Sequence, residues 1–214
     1  MPGLLTPSRP AIFRWATPDP EDNWMMVGHL LVTDAGVILV DPPLVPGLVE
    51  AVETLGGARG IVITTHDHSR GAAWLSRRFN LPVHVPAQAD IAHLDRVGVS
   101  RRTPYTDGER LFDCMDAIRV RVVPPMWEDQ TYVDEMILRL PGDAVATGDI
   151  VMGSTTGALL GCPAGLVPDP DPTKVATSLE AFRKALPSGT ATLLASHGVD
   201  LIRNLEDAVT RSLP

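Results

Sequence analysis

A run of β-branched apolar residues that breaks off into metal-ligand side chains limits what this chain can become. Ile61 to Leu75 reads I-V-I-T-T-H-D-H-S-R-G-A-A-W-L. Ile61, Val62, Ile63 and two threonines have the pattern of a short buried strand, and Gly71 to Leu75 begins a helix-like run. His66, Asp67 and His68 therefore fall in a strand-to-helix turn. Open α/β sheets gather their ligands there, beyond the carboxyl ends of strands. Imidazole suits zinc, iron, copper or nickel, and a carboxylate adds a hard oxygen with compensating charge. Taken alone, the triplet reads first as a polar turn whose histidines cap the next helix.

Two downstream segments shift that balance. Val145 to Ile150, V-A-T-G-D-I, ends an apolar strand in Asp149, and Leu193 to Gly198, L-L-A-S-H-G, ends another in His197. A metal site assembled across a sheet edge needs ligands from separate strand ends, and three such ends are present.

With these pieces in place the chain resembles the metallo-β-lactamase superfamily, and within it the glyoxalase II-like hydrolases. Gly28 to Pro42, G-H-L-L-V-T-D-A-G-V-I-L-V-D-P, looks like that fold's opening hairpin. T-H-D-H looks like its H-x-H-x-D-H loop, T-G-D at Thr147 to Asp149 like the strand carrying the metal-bridging aspartate, and S-H-G at Ser196 to Gly198 like the strand carrying the last histidine. The resemblance implies a four-layer αββα sandwich of mixed α/β type, formed by residues 1–214 as a single domain.

The departures from the family pattern narrow the implied site. Placing Arg70 and Gly71 on the family's Gly-Gly and Leu75 on its helix leucine puts Asp67 and His68 on the final D-H pair. Ile63 and Thr65 then stand where the two leading histidines belong. The family's middle histidine is missing as well, because Met126 to Glu135 reads M-W-E-D-Q-T-Y-V-D-E. Trp127 and Tyr132 lie there instead and are expected to fill the vacated space. The resemblance thus implies one divalent metal held by Asp67, His68, Asp149 and His197, with zinc first and iron or manganese also fitting such ligands. A second alignment makes His66 and His68 the leading pair and leaves both ligand sets broken; it keeps His66 as an additional ligand or supporting residue. Asp41, ending V-I-L-V-D, resembles the family's buried aspartate beneath the metal loop, where it would orient a ligand. Arg70 reads in two ways: a guanidinium that binds a substrate carboxylate or phosphate, or the ion-pair partner of Asp67.

Other templates fail on the same letters. Gly153 to Gly157, G-S-T-T-G, misplaces the serine of a nucleophile elbow, and no Gly-rich stretch ends in the G-K-[ST] of a P-loop. Cys114 and Cys162 form no C-x-x-C pair, so reduced structural thiols are expected. His29, His84 and His93 have no partner at ligand spacing and are expected to be structural or surface residues.

A formal net charge of -8 argues against a nucleic-acid surface. The apolar runs are too short to span a bilayer, the start has no secretory pattern, and two cysteines suit a reducing compartment, so a cytoplasmic protein with a small-molecule substrate is expected. Element by element, strands are expected at 27–33, 36–41, 61–65, 83–85, 118–123, 135–140 and 144–149, with helices near 47–55, after Gly71, and from an Asp171 cap with Pro172 at the first position. Met152 to Pro172 is expected to be one long loop walling the pocket, its leucines lining a cleft or packing on the core.

Function then divides into two classes. One is a single-metal hydrolase of a thioester or other activated ester, with Asp67 and Asp149 as ligands, either doubling as base. The other is a non-catalytic descendant that binds a ligand or serves as a structural module.

Overall fold

The computed structural model describes residues 4–20, 24–122, 133–162, 164–201 and 204–212. Trp127 and Tyr132, and with them the expected filling of a vacated metal position, lie outside the described residues. Two compact units divide the chain, Met1–Tyr105 and Thr106–Pro214.

The first unit is built on a sheet that follows chain order. β1 (Thr6–Arg9), β2 (Ile12–Pro18), β3 (Met25–Thr33) and β4 (Gly36–Val40) are antiparallel neighbours. β5 (Ala58–Val62), β6 (Val83–Pro86) and β7 (Arg102–Tyr105) then add in parallel. Parallel pairing requires crossovers, supplied by α1 (Leu48–Thr54), α2 (Ala72–Phe79) and α3 (Ile91–Arg96). Every residue of β4 is buried, as expected of a strand covered on both faces. Leu30, Leu39, Ile61, Ile63, Leu75 and Val83 belong to its core.

β1, β2 and β7 go beyond the expected elements. β7 reads R-T-P-Y, and its proline is tolerated because the strand is the last in the sheet. β2 is anchored by Trp15, whose indole Nε1 donates to the Pro43 carbonyl at 2.9 Å.

The second unit carries β8 (Arg110–Leu111), β9 (Met115–Val122), β10 (Val133–Leu140), β11 (Ala144–Thr147) and β14 (Thr192–Ala195) in the order β14-β11-β10-β9-β8, with only the β11–β14 pair parallel. α4 (Pro172–Ala185) starts as expected: the Asp171 carboxylate accepts from the Thr173 amide at 2.8 Å and Pro172 stands at the first position. It buries Leu179 and Phe182 in a core shared with Val145, Ile150, Leu193 and α5 (Leu205–Ser212).

The expected single loop over 152–172 is corrected. Its first half is a hairpin of β12 (Val151–Gly153) and β13 (Leu159–Gly161), paired Val151 with Gly161 and Gly153 with Leu159. Strands of three residues are too short to show alternation, and G-S-T-T-G between them reads as loop. The turn is closed by the Ser154 amide on the Ala158 carbonyl, 2.9 Å, and by the Ala158 amide on the Ser154 hydroxyl, 3.1 Å. Leu159 is buried, and Leu160 and Leu166 pack against the same core. Among the described residues no helix is long and apolar enough to cross a membrane.

Candidate metal centre

In the first unit the decisive group is Asp41, one residue beyond β4. Its φ of 46° is left-handed, a region in which Asp is several-fold enriched. Its carboxylate is fully buried. Oδ1 accepts from the Thr64 amide at 2.8 Å, Oδ2 accepts from the Thr64 hydroxyl at 2.7 Å, and Oδ2 lies 3.0 Å from His68 Nδ1. The loop after β5 is therefore clamped to the end of β4 by one anion. A carboxylate only accepts, so Nδ1 of a neutral His68 carries the proton and Nε2 presents its lone pair, the form a metal binds. Tyr105 supports the same loop from β7, donating to the Ile63 carbonyl at 2.8 Å.

The neighbours of His68 diverge from it. His68 is 2% exposed, whereas the Asp67 side chain is 44% exposed and faces His66, with Oδ1 and Nε2 3.6 Å apart. His66 also meets His93 edge to face, ring centroids 5.3 Å apart. Burial holds the His93 imidazole below the ordinary histidine range, against the opposing pull of Asp67. Arg70 turns back into the unit: Nη1 donates to the Val27 carbonyl at 2.9 Å and approaches the Asp41 carbonyl at 3.4 Å. Gly71 lets the chain close up, since a Cβ there would stand 2.6 Å from Leu44 Cγ and 2.8 Å from the Pro42 carbonyl.

In the second unit, Asp149 and His197 come together from different strand ends, His197 Nε2 3.2 Å from Asp149 Oδ1. The Ser196 amide donates to the Thr147 carbonyl at 3.0 Å, extending the β11–β14 ladder to the residue before His197. β12 braces the turn that follows. Gly153 and Val199 form an antiparallel bridge, and a Cβ on Gly153 would collide with the Val199 carbonyl. Gly198, at φ 69°, passes so close that its Cβ would be 2.8 Å from the Gly153 carbonyl.

Glu135, which sequence reasoning did not single out, organises the Asp149 turn. It is 1% exposed and accepts from three successive amides: Gly148 at 3.2 Å, Asp149 at 2.8 Å and Ile150 at 2.9 Å. An acid opening the apolar run E-M-I-L was the available signal, but sequence does not tell a buried strand acid from an exposed one. Cys162 lies behind the turn, its thiol pushed up by burial and then by the charges of Asp149 and Glu135, so it is a neutral packing group.

The donor set suits a divalent metal. Two ligands at ~2.1 Å on a tetrahedral ion are about 3.4 Å apart, close to the Asp149–His197 separation.

The family profile described as metallo-beta-lactamase superfamily matches residues 5–211. Among curated proteins none matches the chain. Similar solved structures include the DIM-1 metallo-beta-lactamase, at TM-score 0.70 and 12% identity over 97% of this chain and 94% of that one. Another is the metallo-beta-lactamase from Pontibacter korlensis, at TM-score 0.70 and 15% identity over 97% of each. The metallo-beta-lactamase FIM-1 from Pseudomonas aeruginosa, solved in its mono-zinc form, gives TM-score 0.62 and 15% identity over 98% and 96%. At such identities the likeness speaks for the fold, which is the mixed α/β fold of these enzymes, and the profile match over nearly the whole length makes this chain a member of the metallo-β-lactamase superfamily.

Proposed function

We propose that the protein is a hydrolase dependent on one divalent metal, zinc first, acting on a thioester or similarly activated ester of a small molecule. The observation carrying this reading is the Asp41–His68 pair. A buried carboxylate spent on holding one imidazole nitrogen is what orienting a metal ligand requires, and a polar turn that only caps a helix has no need of it. Asp149 and His197 add a second carboxylate–imidazole pair at ligand spacing. In this reading, as the family motifs imply, Asp67, His68, Asp149 and His197 are the ion's ligands, and residues 1–214 act as one functional domain.

The bound metal would supply Lewis acidity, polarising a carbonyl and acidifying water. The chain's own groups do the rest. Asp41 keeps the proton of His68 on Nδ1, and Glu135 holds the Asp149 turn. Asp67, expected as the fourth ligand, has an exposed carboxylate beside His66 and so also suits the proton-accepting role at its Oδ1. Arg70, although its Nη1 is turned onto the Val27 and Asp41 carbonyls, adds positive charge to the first unit, and in this reading that charge favours an anionic substrate group. The glyoxalase II-like branch and the thioester belong to this proposal, supported by the sequence motifs alone.

The test is metal content per chain by elemental analysis of protein purified without chelators, repeated on four variants. About one metal in the wild type is expected, with loss in His68→Ala, Asp149→Ala and His197→Ala and retention in His66→Ala. Hydrolysis of model thioesters should follow metal content. No metal after reconstitution overturns the reading and leaves a non-catalytic descendant of the fold.

A further inference from the structure

We infer that Glu135 is a positioning residue that sets the site's metal affinity by fixing the Asp149 turn and by placing a permanent buried negative charge behind it. The inference rests on the proposed metal site and adds a residue to it.

The register of the second sheet explains how a β10 residue reaches this turn. Leu138 pairs with Ala146 and Arg139 with Val145, so continuing the ladder would bring Glu135 opposite Asp149. β11 ends at Thr147, however, and the chain turns away. The Glu135 side chain replaces the missing rungs, accepting the three amides of Gly148, Asp149 and Ile150. Three successive amides facing one anion make a concave anion site, here filled by the protein's own carboxylate, with Gly148 on Oε1 and Asp149 and Ile150 on Oε2. A buried carboxylate is tolerated only when its lone pairs are satisfied, and these bonds satisfy it.

Two consequences follow. The turn cannot rotate Asp149 without breaking at least one charge-assisted bond, so the side chain leaves a fixed backbone. The carboxylate's charge also adds to that of Asp149, and buried charges are weakly screened. A cation held by Asp149 and His197 therefore feels two anions, although only one is a ligand.

Glu135→Gln removes the charge and one of the two acceptor oxygens at nearly constant shape, and Glu135→Ala removes both. Affinity for zinc is read by competition with a chromophoric chelator, the d–d spectrum of the cobalt-substituted protein reports ligand geometry, and hydrogen exchange of the 148–150 amides reports the turn in the metal-free protein. Outer partners of metal ligands typically contribute 10–100-fold to affinity, so about tenfold weaker binding is expected for Glu135→Gln and about 100-fold for Glu135→Ala. A shifted cobalt spectrum and faster exchange confined to the turn should accompany the loss. Circular dichroism separates this from general unfolding, and Glu135→Gln is the variant to rely on should Glu135→Ala fail to fold. If the wild type binds zinc and Glu135→Gln matches it in affinity, spectrum and exchange, the inference is wrong while the metal site stands. If the wild type binds no zinc, the metal reading falls and this inference with it.

Discussion

Asp41→Asn is the sharpest test of the first unit's site, because it keeps shape and removes both the charge and one acceptor. Asn tolerates the left-handed backbone at this position as well as Asp does. Its Oδ1 can still accept from the Thr64 amide. Nδ2, however, now faces two groups that donate in the wild type, the Thr64 hydroxyl and His68 Nδ1. The hydroxyl can rotate and accept, but the imidazole can accept only by moving its proton to Nε2, which removes the lone pair that a metal would use. Three charge-assisted bonds worth ~1.5–3 kcal/mol each become neutral ones worth ~0.5–1.5, a loss of about 3–4.5 kcal/mol in all. Relief of the carboxylate's desolvation offsets part of that, leaving a net loss of about 2. In urea this corresponds to a midpoint roughly 1 M lower, read by tryptophan fluorescence. Nitrogen-15 NMR of the histidine rings should show the His68 tautomer switching, and zinc affinity should fall about 10–100-fold. A midpoint within about 0.2 M of the wild type, with the His68 tautomer unchanged, would refute the claim that Asp41 orients this imidazole.

Gly153→Ala should push the Val199 carbonyl away from β12, costing about 1–3 kcal/mol by overpacking and lowering Tm by several degrees in a thermal melt, with metal retention reduced because the turn carrying His197 shifts. Arg70→Met should cost about 1.5 kcal/mol in urea denaturation, since the Val27 carbonyl loses a charged donor. Cys162, whose pKa burial raises, should stay protonated and unreactive toward a disulfide reagent as pH rises from neutral to mildly alkaline, and titrate only after denaturation; early reaction of this thiol would show the packing behind Asp149 to be open.

The sequence by itself was enough for the kind of fold and for naming the candidate ligands, because both are written in local patterns. A buried strand running into T-H-D-H, an aspartate after V-A-T-G and a histidine after L-L-A-S are contiguous strings, and the family membership follows them. The Asp171–Pro172 start of α4 was legible for the same reason, as capping involves residues adjacent in the chain. Asp41 was legible as a motif, although its bonds to Thr64 and His68 span more than twenty residues and became visible only in the folded chain.

Tertiary structure decided the rest. Whether a residue beside a candidate ligand points inward or outward depends on a tight turn: His68 turns onto Asp41, Asp67 turns toward His66 and solvent, and no pattern of letters distinguishes the two. Strands such as β12 and β13 are too short to carry a period, and are held by their pairing with each other and by the Gly153–Val199 bridge. Glu135 looks like any charged residue at a strand end until the register of β10 against β11 brings it opposite Asp149, where three amides make its burial possible. Local sequence specifies what a segment can do, while side-chain direction and the satisfaction of buried charge depend on partners distant in the chain, which only folding supplies.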